Sequence, residues 1–389
     1  MTEKKLSDAE AIHRRATIVD LHAHASLKVS LFRRVLTVSI DASRSFNPFA
    51  MRTDFIKQRK GGIDVYLSTV YAPERGIYEE CHFIKIMKYL MPLTWRKIYG
   101  QSYFDAATMM LDEMEKAVQK AKDPVTGAAV AQVVRSVDEL DALLARPEAG
   151  RPIAVIHNLE GAHCLDGRVD HLDDFFTRGV AYLTLAHFYA NDAANPCFPY
   201  PESIQKFGCY RGSRDLSLGL GKIGEQVVER MVELGMIIDI THCTPPARRR
   251  VYDIVAGRAP VFASHIGAYE VNPNPYNLKD WEIKTIADAG GVVGVIFMNY
   301  WLMPHVTRRG LDFITKTINH IIRIGGVDSA AIGSDFDGFT DPPDDLKDAA
   351  GMLNLTQRLL AEQYSEEQIN KILGENALRM IRQGWGKRR

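Results

Sequence analysis

The sequence predicts a single α/β domain built as a (β/α)8 barrel of the TIM type. Short apolar runs typical of strands alternate with helical patterns along the whole chain, and about eight such runs can be distinguished. This alternation is typical of βα units in a parallel sheet, and eight is the number of strands that closes a barrel. Most of the runs also end on a histidine or an acidic residue. A chain of 389 residues can hold such a barrel with insertions, so we expect one domain over residues 1–389.

The first four strands are expected in the N-terminal half of the chain. Gly61-Gly62 introduces the second strand and Gly161 ends the third, because glycine interrupts extended runs. The four strands are predicted at residues 17–24, 63–71, 153–160 and 181–187. A long helical stretch at about 78–122 follows the second strand, and we expect it to form a helical insertion in the barrel.

The other four strands are predicted at residues 236–242, 259–265, 292–297 and 330–335. A loop rich in asparagine, proline and aromatic residues is expected at 188–210, after the fourth strand. Near the end of the chain, Ser365-Glu366-Glu367 is a capping signal for a helix over 369–381. We expect this C-terminal helix to close the barrel.

The composition is that of an ordinary globular protein, with 46% hydrophobic and 25% charged residues. Because 48 basic residues balance 48 acidic ones, no global field draws the chain to nucleic acid or to an anionic membrane. We therefore expect a small-molecule substrate, and neither a nucleic-acid nor a membrane partner. The five cysteines contain no Cys-x-x-Cys pair, and no secretion signal or lipid-anchor tail is visible, so we expect reduced thiols and a cytoplasmic location.

The pair His22 and His24 ends the first predicted strand. Strand side chains alternate between two faces, so residues one position apart point to the same side and two imidazoles there can chelate a metal ion. Imidazole suits zinc and similar divalent metals. By itself the His-x-His pattern is a weak signal, and the other strand ends must decide its meaning.

Six of the eight predicted strands end on residues that can bind metal or carry a proton. They are His22 with His24, Glu160, His187, His242, His265 and Asp335. In a parallel barrel the carboxyl ends of all strands meet at one mouth, so residues over three hundred positions apart become neighbours. The convergence favours a centre with two divalent metal ions, and zinc is the expected metal.

The chemistry of such a centre suggests a role for each residue. Two cations about 3.5–4 Å apart need a bridging carboxylate, and Glu160 is the acidic strand end central to the set. The four metal-binding histidines are then expected in two pairs, His22 with His24 and His242 with His265.

A water shared by two metal ions loses its proton near neutral pH, so the expected reaction is attack of this metal-bridged hydroxide on a carbonyl carbon. Asp335, if it is not a ligand, is the natural proton carrier to the leaving amine. His187 would orient the substrate carbonyl or stabilise the oxyanion.

Several other polar residues are better explained as structural. Asp337 is expected to order its loop, Cys243 to be a structural thiol, and Arg248-Arg249-Arg250 to form a solvated helix face. The remaining histidines are assigned to helices, loops or the outer strand face; they are His13, His82, His157, His163, His171, His305 and His320.

Five motifs resemble, in their order along the chain, those of the membrane or renal dipeptidase family. They are Ile156-His157-Asn158-Leu159-Glu160-Gly161, Leu183-Thr184-Leu185-Ala186-His187, Ile238-Asp239-Ile240-Thr241-His242, Ala263-Ser264-His265 and Ile332-Gly333-Ser334-Asp335-Phe336-Asp337-Gly338. Members of this family are binuclear zinc peptidases on a (β/α)8 barrel of the amidohydrolase type, and homodimers are common among them. The resemblance implies Glu160 as bridging ligand, His22, His242 and His265 as ligands, His187 as a substrate contact and Asp335 as proton carrier.

The chain departs from the family pattern at two places. The family usually has His-x-Asp at the first strand, where this sequence has His24 in the aspartate position and so resembles the wider amidohydrolase superfamily. The family also has an Arg-Asn pair that receives the substrate carboxylate, and Tyr276-Asn277 stands there in this chain. The loss of a guanidinium removes a charge-assisted contact of about 1.5–3 kcal/mol.

These patterns predict a metal-dependent hydrolase that cleaves the amide bond of dipeptides, with Tyr276 and Asn277 as further substrate-binding candidates. Two alternatives stay open. The first is an amidohydrolase acting on a lactone, ester or N-acyl substrate without a free carboxylate, which Tyr276 would favour. The second is a metal-binding barrel that has lost catalysis, against which the retention of Asp335 argues.

Overall fold

The structure is a computed structural model that describes residues 3–40, 50–197, 214–298, 302, 310–338 and 340–386. Most of the loop expected at 188–210 lies outside the described residues, and so does His305. Within them, no helix is long and apolar enough to cross a membrane.

Eight parallel strands form the barrel, which confirms the predicted fold class. They follow one another around the sheet in the order β1-β2-β4-β5-β6-β7-β8-β9. The described strands are β1 Ile18–Ala23, β2 Ile63–Val70, β3 Ala131–Val133, β4 Ile153–Glu160, β5 Tyr182–Thr184, β6 Ile237–Asp239, β7 Val261–Ile266, β8 Val293–Val295 and β9 Ala330–Ile332. The sequence patterns did not predict β3, a short strand that lies outside the barrel and pairs with β4.

The barrel closes between the first and last strands just beyond their regular ladder. The backbone N–H of Asp335 donates to the carbonyl of His22 at 2.8 Å, and that of His24 donates to the carbonyl of Phe336 at 2.8 Å. These bonds bring two sequence-distant motifs, one at each end of the barrel domain, into direct contact at the carboxyl ends of the strands.

Several strands are shorter than predicted at their carboxyl ends. β5, β6 and β9 end at Thr184, Asp239 and Ile332, and the expected site residue follows three positions later in each case. Two of these residues, His242 and Asp335, have left-handed backbone angles with φ of 66° and 55°. The chain has therefore left the pleat where the site begins, and strand alternation does not fix the direction of these side chains.

The helices cover the outside of the barrel and build the insertion. They are α1 Glu3–Arg15, α2 Ala25–Phe32, α3 Phe55–Lys60, α4 Arg75–Glu80, α5 His82–Leu90, α6 Pro92–Tyr99, α7 Tyr103–Lys120, α8 Val137–Leu144, α9 His171–Thr177, α10 Lys222–Leu234, α11 Pro245–Val255, α12 Asp280–Asp288, α13 Leu311–Gly325, α14 Met352–Ala361, α15 Glu366–Asn370 and α16 Asn376–Gly384. Helices α4 to α7 occupy the region expected at about 78–122. Ser102 caps the longest of them, since its hydroxyl accepts from the N–H of Asp105 at 3.0 Å.

The C-terminal helix lies across the amino ends of the strands. The capping box at Ser365 is present, but α15 is short and a π-helical turn separates it from α16. Asn376 donates to the carbonyl of Ala330 at 2.9 Å, and the N–H of Gly386 donates to the carbonyl of Gly235 at 2.8 Å. Both acceptors precede or begin strands, so α16 covers the bottom of the barrel and leaves the opposite mouth to the site.

Candidate metal centre

Glu160, the last residue of β4, lies at the centre of the site and is buried. Five histidine Nε2 atoms surround its two carboxylate oxygens. Oε1 lies 3.2 Å from His242, 3.3 Å from His22 and 3.5 Å from His265, and Oε2 lies 3.4 Å from His24 and 3.5 Å from His187. The structure therefore brings together the residues that the sequence placed at the mouth.

A hydrogen bond from the opposite ring nitrogen orients His22. The hydroxyl of Tyr182 donates to the carbonyl of Leu21 at 2.8 Å, so its oxygen is left to accept from His22 Nδ1 at 2.8 Å. With the proton on Nδ1, the Nε2 lone pair points at Glu160. This is the arrangement by which outer groups fix metal-binding histidines in the correct tautomer.

His265 is held in the same way from the other side of the barrel. The Ser264 hydroxyl donates to the Asp239 carboxylate at 2.6 Å and accepts from His265 Nδ1 at 2.8 Å. The Nε2 atom of His265 then lies 3.0 Å from that of His242. Two ring nitrogens at this distance share either a cation or a proton between their lone pairs. A shared metal ion would make this pair a chelate.

His24 completes a second pair of ring nitrogens. Its Nε2 lies 3.0 Å from that of His22 and 3.2 Å from Asp335 Oδ1. Its Nδ1 is buried and has no hydrogen-bond partner among the described residues. Burial opposes protonation of His24, but the charges of Glu160 and Asp335 outweigh it and raise the pKa of this imidazole.

The charges of the site match a cation-binding centre. Burial alone would raise the pKa of Glu160, but the surrounding imidazoles of His187, His22 and His24 lower it well below its usual range. Burial lowers the pKa of His265 well below its usual range, and the neighbouring His22 lowers it further. An ionised carboxylate among several imidazole nitrogens is a donor set suited to zinc or a similar divalent ion.

Asp335 reaches the edge of this cluster from a strained turn. Its backbone is left-handed, and the Thr340 hydroxyl donates to its carbonyl at 2.8 Å. A Cβ at Gly338 would collide with Asp335 Oδ1, so glycine is required for the carboxylate to sit there. Asp337, as predicted, orders its surroundings: its carboxylate accepts the backbone N–H groups of Arg52 and Thr53 at 3.0 Å.

Glu74 is a buried residue of the site that the sequence analysis missed. Its Oε2 lies 2.9 Å from His187 Nδ1, and it accepts backbone N–H groups from Phe188 at 3.2 Å and Tyr189 at 3.0 Å. Burial opposes ionisation of Glu74, but the hydrogen bond and charge of His187 outweigh it and lower the pKa to about 2. The sequence did contain a signal for Glu74, because it lies four residues after the end of β2 and the other site residues also lie at or just after strand ends.

Tyr276 and Asn277 lie in the wall of the site, where their side chains form hydrogen bonds with neighbouring backbone groups. The Tyr276 hydroxyl donates to the carbonyl of His265 at 2.8 Å, and its ring lies 5.3 Å from that of His242. The Asn277 side chain accepts from the N–H of Gly267 at 3.1 Å and donates to the carbonyl of Asn272 at 3.0 Å. Both side chains thus hold the loop after β7 in place.

The prediction of a solvated Arg248 is wrong. Its guanidinium is buried and pairs with Glu282 through bonds of 2.6 and 3.0 Å. It also donates to the carbonyls of Cys243 at 2.8 Å and Tyr276 at 3.3 Å. A basic run on a helix does not reveal which member faces a buried carboxylate on another element, and this contact lies between α11 and α12.

The expectation that all cysteines are reduced is also wrong. Cys164, Cys197 and Cys243 are free and buried, but Cys81 is disulfide-bonded. Cysteine spacing in the sequence cannot show which thiols approach one another in the fold.

A family model described as membrane dipeptidase (peptidase family M19) matches residues 6–385 of this chain. The chain belongs to the membrane dipeptidase family. The match extends over the barrel, the helical insertion and the whole of the C-terminal helix α16.

Relatives of known name agree with this assignment. An uncharacterized dipeptidase from Schizosaccharomyces pombe is 27% identical over 387 residues, covering 97% of this chain and 83% of that protein. Dipeptidase 3 from Macaca fascicularis is 28% identical over 288 residues, covering 74% of this chain and 56% of that protein. The matched region is thus little more than half of dipeptidase 3.

Solved structures share the fold over nearly the full chain. The probable dipeptidase PvdM from Pseudomonas aeruginosa has a TM-score of 0.75 at 19% identity, covering 98% of this chain and 99% of that one. A metallo peptidase from Rhodobacter sphaeroides, liganded with a phosphinate mimic of the dipeptide L-Ala-D-Ala, has a TM-score of 0.72 at 21% identity, covering 95% and 99%. These likenesses establish the barrel architecture.

Proposed function

We propose that this protein is a metal-dependent dipeptidase that hydrolyses the amide bond of a dipeptide. One observation carries the proposal: four histidine Nε2 atoms, in addition to that of His187, lie 3.2–3.5 Å from the carboxylate oxygens of Glu160. They belong to His22, His24, His242 and His265. Family membership supports the same reaction. We propose two divalent ions as cofactors, with zinc the expected metal.

His22 and His24 would hold one ion, His242 and His265 the other, and Glu160 would bridge the two. When bound, such ions acidify water and polarise a carbonyl oxygen. The protein's own contribution to this step is to orient the ligands, because the outer hydrogen bonds of His22 and His265 fix their lone pairs before any ion arrives.

Asp335 and His187 would act on the substrate. The Asp335 carboxylate, beside the cluster and close to His24, can take a proton from the attacking water and deliver it to the leaving amine. His187 in its protonated form can donate from Nε2 to the carbonyl oxygen as negative charge develops there. Burial lowers the pKa of His187, and the charges of Glu160 and of Glu74, which is hydrogen-bonded to Nδ1, oppose that shift and stabilise the protonated form.

A second candidate substrate class follows from Tyr276. At this place the family uses a guanidinium for the dipeptide carboxylate, whereas the Tyr276 hydroxyl is committed to the carbonyl of His265. A lactone, ester or N-acyl amide without a free carboxylate would lose nothing from this change. A barrel that binds metal without catalysis is the least favoured function, because it has no use for the Asp335 carboxylate.

The test is metal analysis combined with a substrate panel of free dipeptides, N-acyl amides, esters and lactones. We expect near two equivalents of metal per chain in the parent protein and in His24→Asp, and near one in His24→Ala. Among the substrates, we expect dipeptides to be cleaved fastest. Faster cleavage of the neutral substrates would favour the second class. Protein that binds no metal and hydrolyses nothing after zinc reconstitution would contradict the proposal.

Location and assembly remain predictions. A disulfide such as that of Cys81 persists in oxidising compartments and therefore argues against the cytoplasmic location expected from the sequence. A homodimer is the assembly that the family resemblance implies, and sedimentation velocity would measure it.

A further inference from the structure

Among the described residues, helices α5 and α6 of the insertion carry several large apolar side chains that are exposed. The exposed fractions are 50% for Ile86, 80% for Tyr89, 70% for Leu90 and 74% for Leu93. Ile86, Tyr89 and Leu90 are three and four positions apart and lie on one side of α5, and Leu93 lies in the first turn of α6. Contiguous exposed apolar side chains mark a surface that binds a partner, because single exposed residues are common but clusters are not.

The charges that flank this apolar stripe are all positive. No aspartate or glutamate occurs from residue 81 to 104, whereas Lys85, Lys88, Arg96 and Lys97 lie within the same stretch. Lys85, Lys88 and Arg96 are exposed, and Lys97 pairs with Glu113 at 2.5 Å. The formal charge of the whole chain is zero, so this local excess is a property of the segment and not of the composition.

The segment is anchored to the barrel by its other side. The rings of Trp95 and Tyr99 pack against Tyr78 of α4 with centroids 4.9 and 4.8 Å away, and Ile98 is buried. Lys97 also donates to the carbonyl of Ser30 in α2 at 3.2 Å. The apolar stripe therefore faces away from a fixed attachment.

A second exposed patch follows α2. Val35 and Val38 are exposed, Arg33 beside them is exposed, and no acidic residue occurs from 25 to 40. Lys97 joins α6 to α2, so this patch of apolar and basic side chains follows an element that contacts the segment.

We propose that the α5–α6 segment docks on the surface of a membrane that contains anionic phospholipids. Apolar side chains with aromatic members enter the headgroup boundary, while lysines and arginines pair with lipid phosphates. The balanced charge of the whole chain excluded a global attraction, but such attraction falls off within a Debye length and depends on the local cluster.

A second copy of this chain fits the same surface less well. Pairing of two identical patches across a two-fold axis is self-complementary, so it would bring Lys85, Lys88 and Arg96 of both copies together with no acidic residue of the segment to offset them. The lipid surface supplies the missing negative charge.

Docking would place the mouth of the barrel near the bilayer. The insertion begins after the carboxyl end of β2, the same end that carries the metal centre. Glu80, the last residue of α4, accepts from the hydroxyl of Tyr189 at 2.9 Å, and Tyr189 lies two residues after His187. The proposed membrane surface and the site are therefore neighbours.

The test is co-sedimentation of the full-length protein with vesicles of phosphatidylcholine alone or mixed equally with phosphatidylglycerol. We expect binding to the mixed vesicles, weakened by high salt. The double variant Lys85→Gln/Lys88→Gln should bind about 25-fold more weakly, at about fivefold for each charge. Tyr89→Ser/Leu93→Ser should also bind at least tenfold more weakly, by the loss of buried apolar area.

Val125→Ser is the matched control, because Val125 is 91% exposed in a surface turn outside the segment. It should bind as the parent does. Equal binding by all variants, or no binding to mixed vesicles, would overturn the proposal, and a dimer broken by Leu93→Ser in sedimentation velocity would assign the surface to a second copy. Metal content and hydrolysis are measured separately, so this outcome is independent of the proposed dipeptidase activity.

Discussion

At the scale of single residues, the site depends on a few side chains whose neighbours fix their chemistry. His22 and His265 are oriented by hydroxyl groups, and Asp335 depends on a glycine that leaves room for its carboxylate. The Tyr182 contact with His22 joins positions far apart in the chain, whereas Ser264 and Gly338 lie within three positions of the residues that they support. A substitution can therefore remove either a reacting group or its support, and the two cases differ in what they leave intact.

Replacement of Asp335 by Asn tests the reacting group. The amide keeps the shape of the side chain but cannot carry the proton, so we expect kcat to fall about 10²–10⁴-fold. Metal content should stay near that of the parent, because the Glu160 cluster is unchanged. Steady-state kinetics and metal analysis on the same preparation would check this, and loss of metal together with activity would instead make Asp335 a ligand.

Replacement of Glu74 by Gln tests the support. Without the charge of Glu74, His187 keeps its place but loses the stabilisation of its protonated form, so kcat should fall about 10–100-fold, with little change in KM. Glu80→Gln serves as the matched control, since Glu80 contacts Tyr189 and not His187. An unchanged kcat in Glu74→Gln, or an equal loss in the control, would limit Glu74 to a structural role.

At the scale of elements, β4 shows how one strand serves two environments. Glu160 points into the metal centre, whereas His157 faces α7, where its Nε2 lies 3.9 Å from Glu115. Neither ring nitrogen of His157 has a hydrogen-bond partner among the described residues. The strand period predicted the opposite faces, and the structure confirms them.

His157 should make stability depend on pH. Burial, aided by the charges of Arg135 and Arg178, lowers its pKa from 6.5 to about 3. Between these values the unfolded chain binds more protons than the folded one, so stability is fully present above pH 6.5 and falls as pH decreases, by at most about 1.4 kcal/mol per unit. Denaturant titrations at pH 7 and pH 5 should show a smaller loss for His157→Gln than for the parent. Equal losses would assign the pH dependence to other groups.

The contact between α11 and α12 depends on one buried ion pair. Arg248→Met would leave the Glu282 carboxylate buried without its partner, and we expect the free energy of unfolding to fall by about 3–5 kcal/mol. The double variant Arg248→Met/Glu282→Gln should recover part of this loss. Arg249→Met, an exposed change on the same helix, should cost about 0.5–1 kcal/mol through its contact with the Trp281 ring. Urea denaturation measures all three, and equal losses for the two single variants would contradict the assignment.

At the scale of the whole molecule, the metal centre joins strands from around the barrel. The proposed ligands lie in β1, β4 and β7 and in the segments that follow β1 and β6. An ion that binds the folded chain alone raises stability by about 2.7 kcal/mol at a hundredfold excess over its dissociation constant. Thermal unfolding with chelator and with added zinc should therefore differ by several degrees. Glu160→Gln should abolish most of the difference, and a persistent shift in that variant would place the stabilising ion elsewhere.

Much of the architecture could be predicted because strand and helix patterns are local. The eight barrel strands, and the convergence of His22, Glu160 and Asp335, followed from apolar runs and the geometry of parallel barrels. Strand ends were less predictable, since His242 and Asp335 adopt left-handed angles that pairing beyond the strand imposes. β3 was missed because three residues are too few to show a period.

By itself, then, the sequence determined the fold class, the family and the side chains that gather around Glu160, because all three follow from periodicity and ordered motifs. Only the tertiary structure decided that Arg248 is buried, that Cys81 is disulfide-bonded, that Glu74 supports His187, and that the α5–α6 stripe is uncovered. The physical reason is the same in each case: burial and pairing depend on which element lies opposite, and that neighbour is distant in the chain.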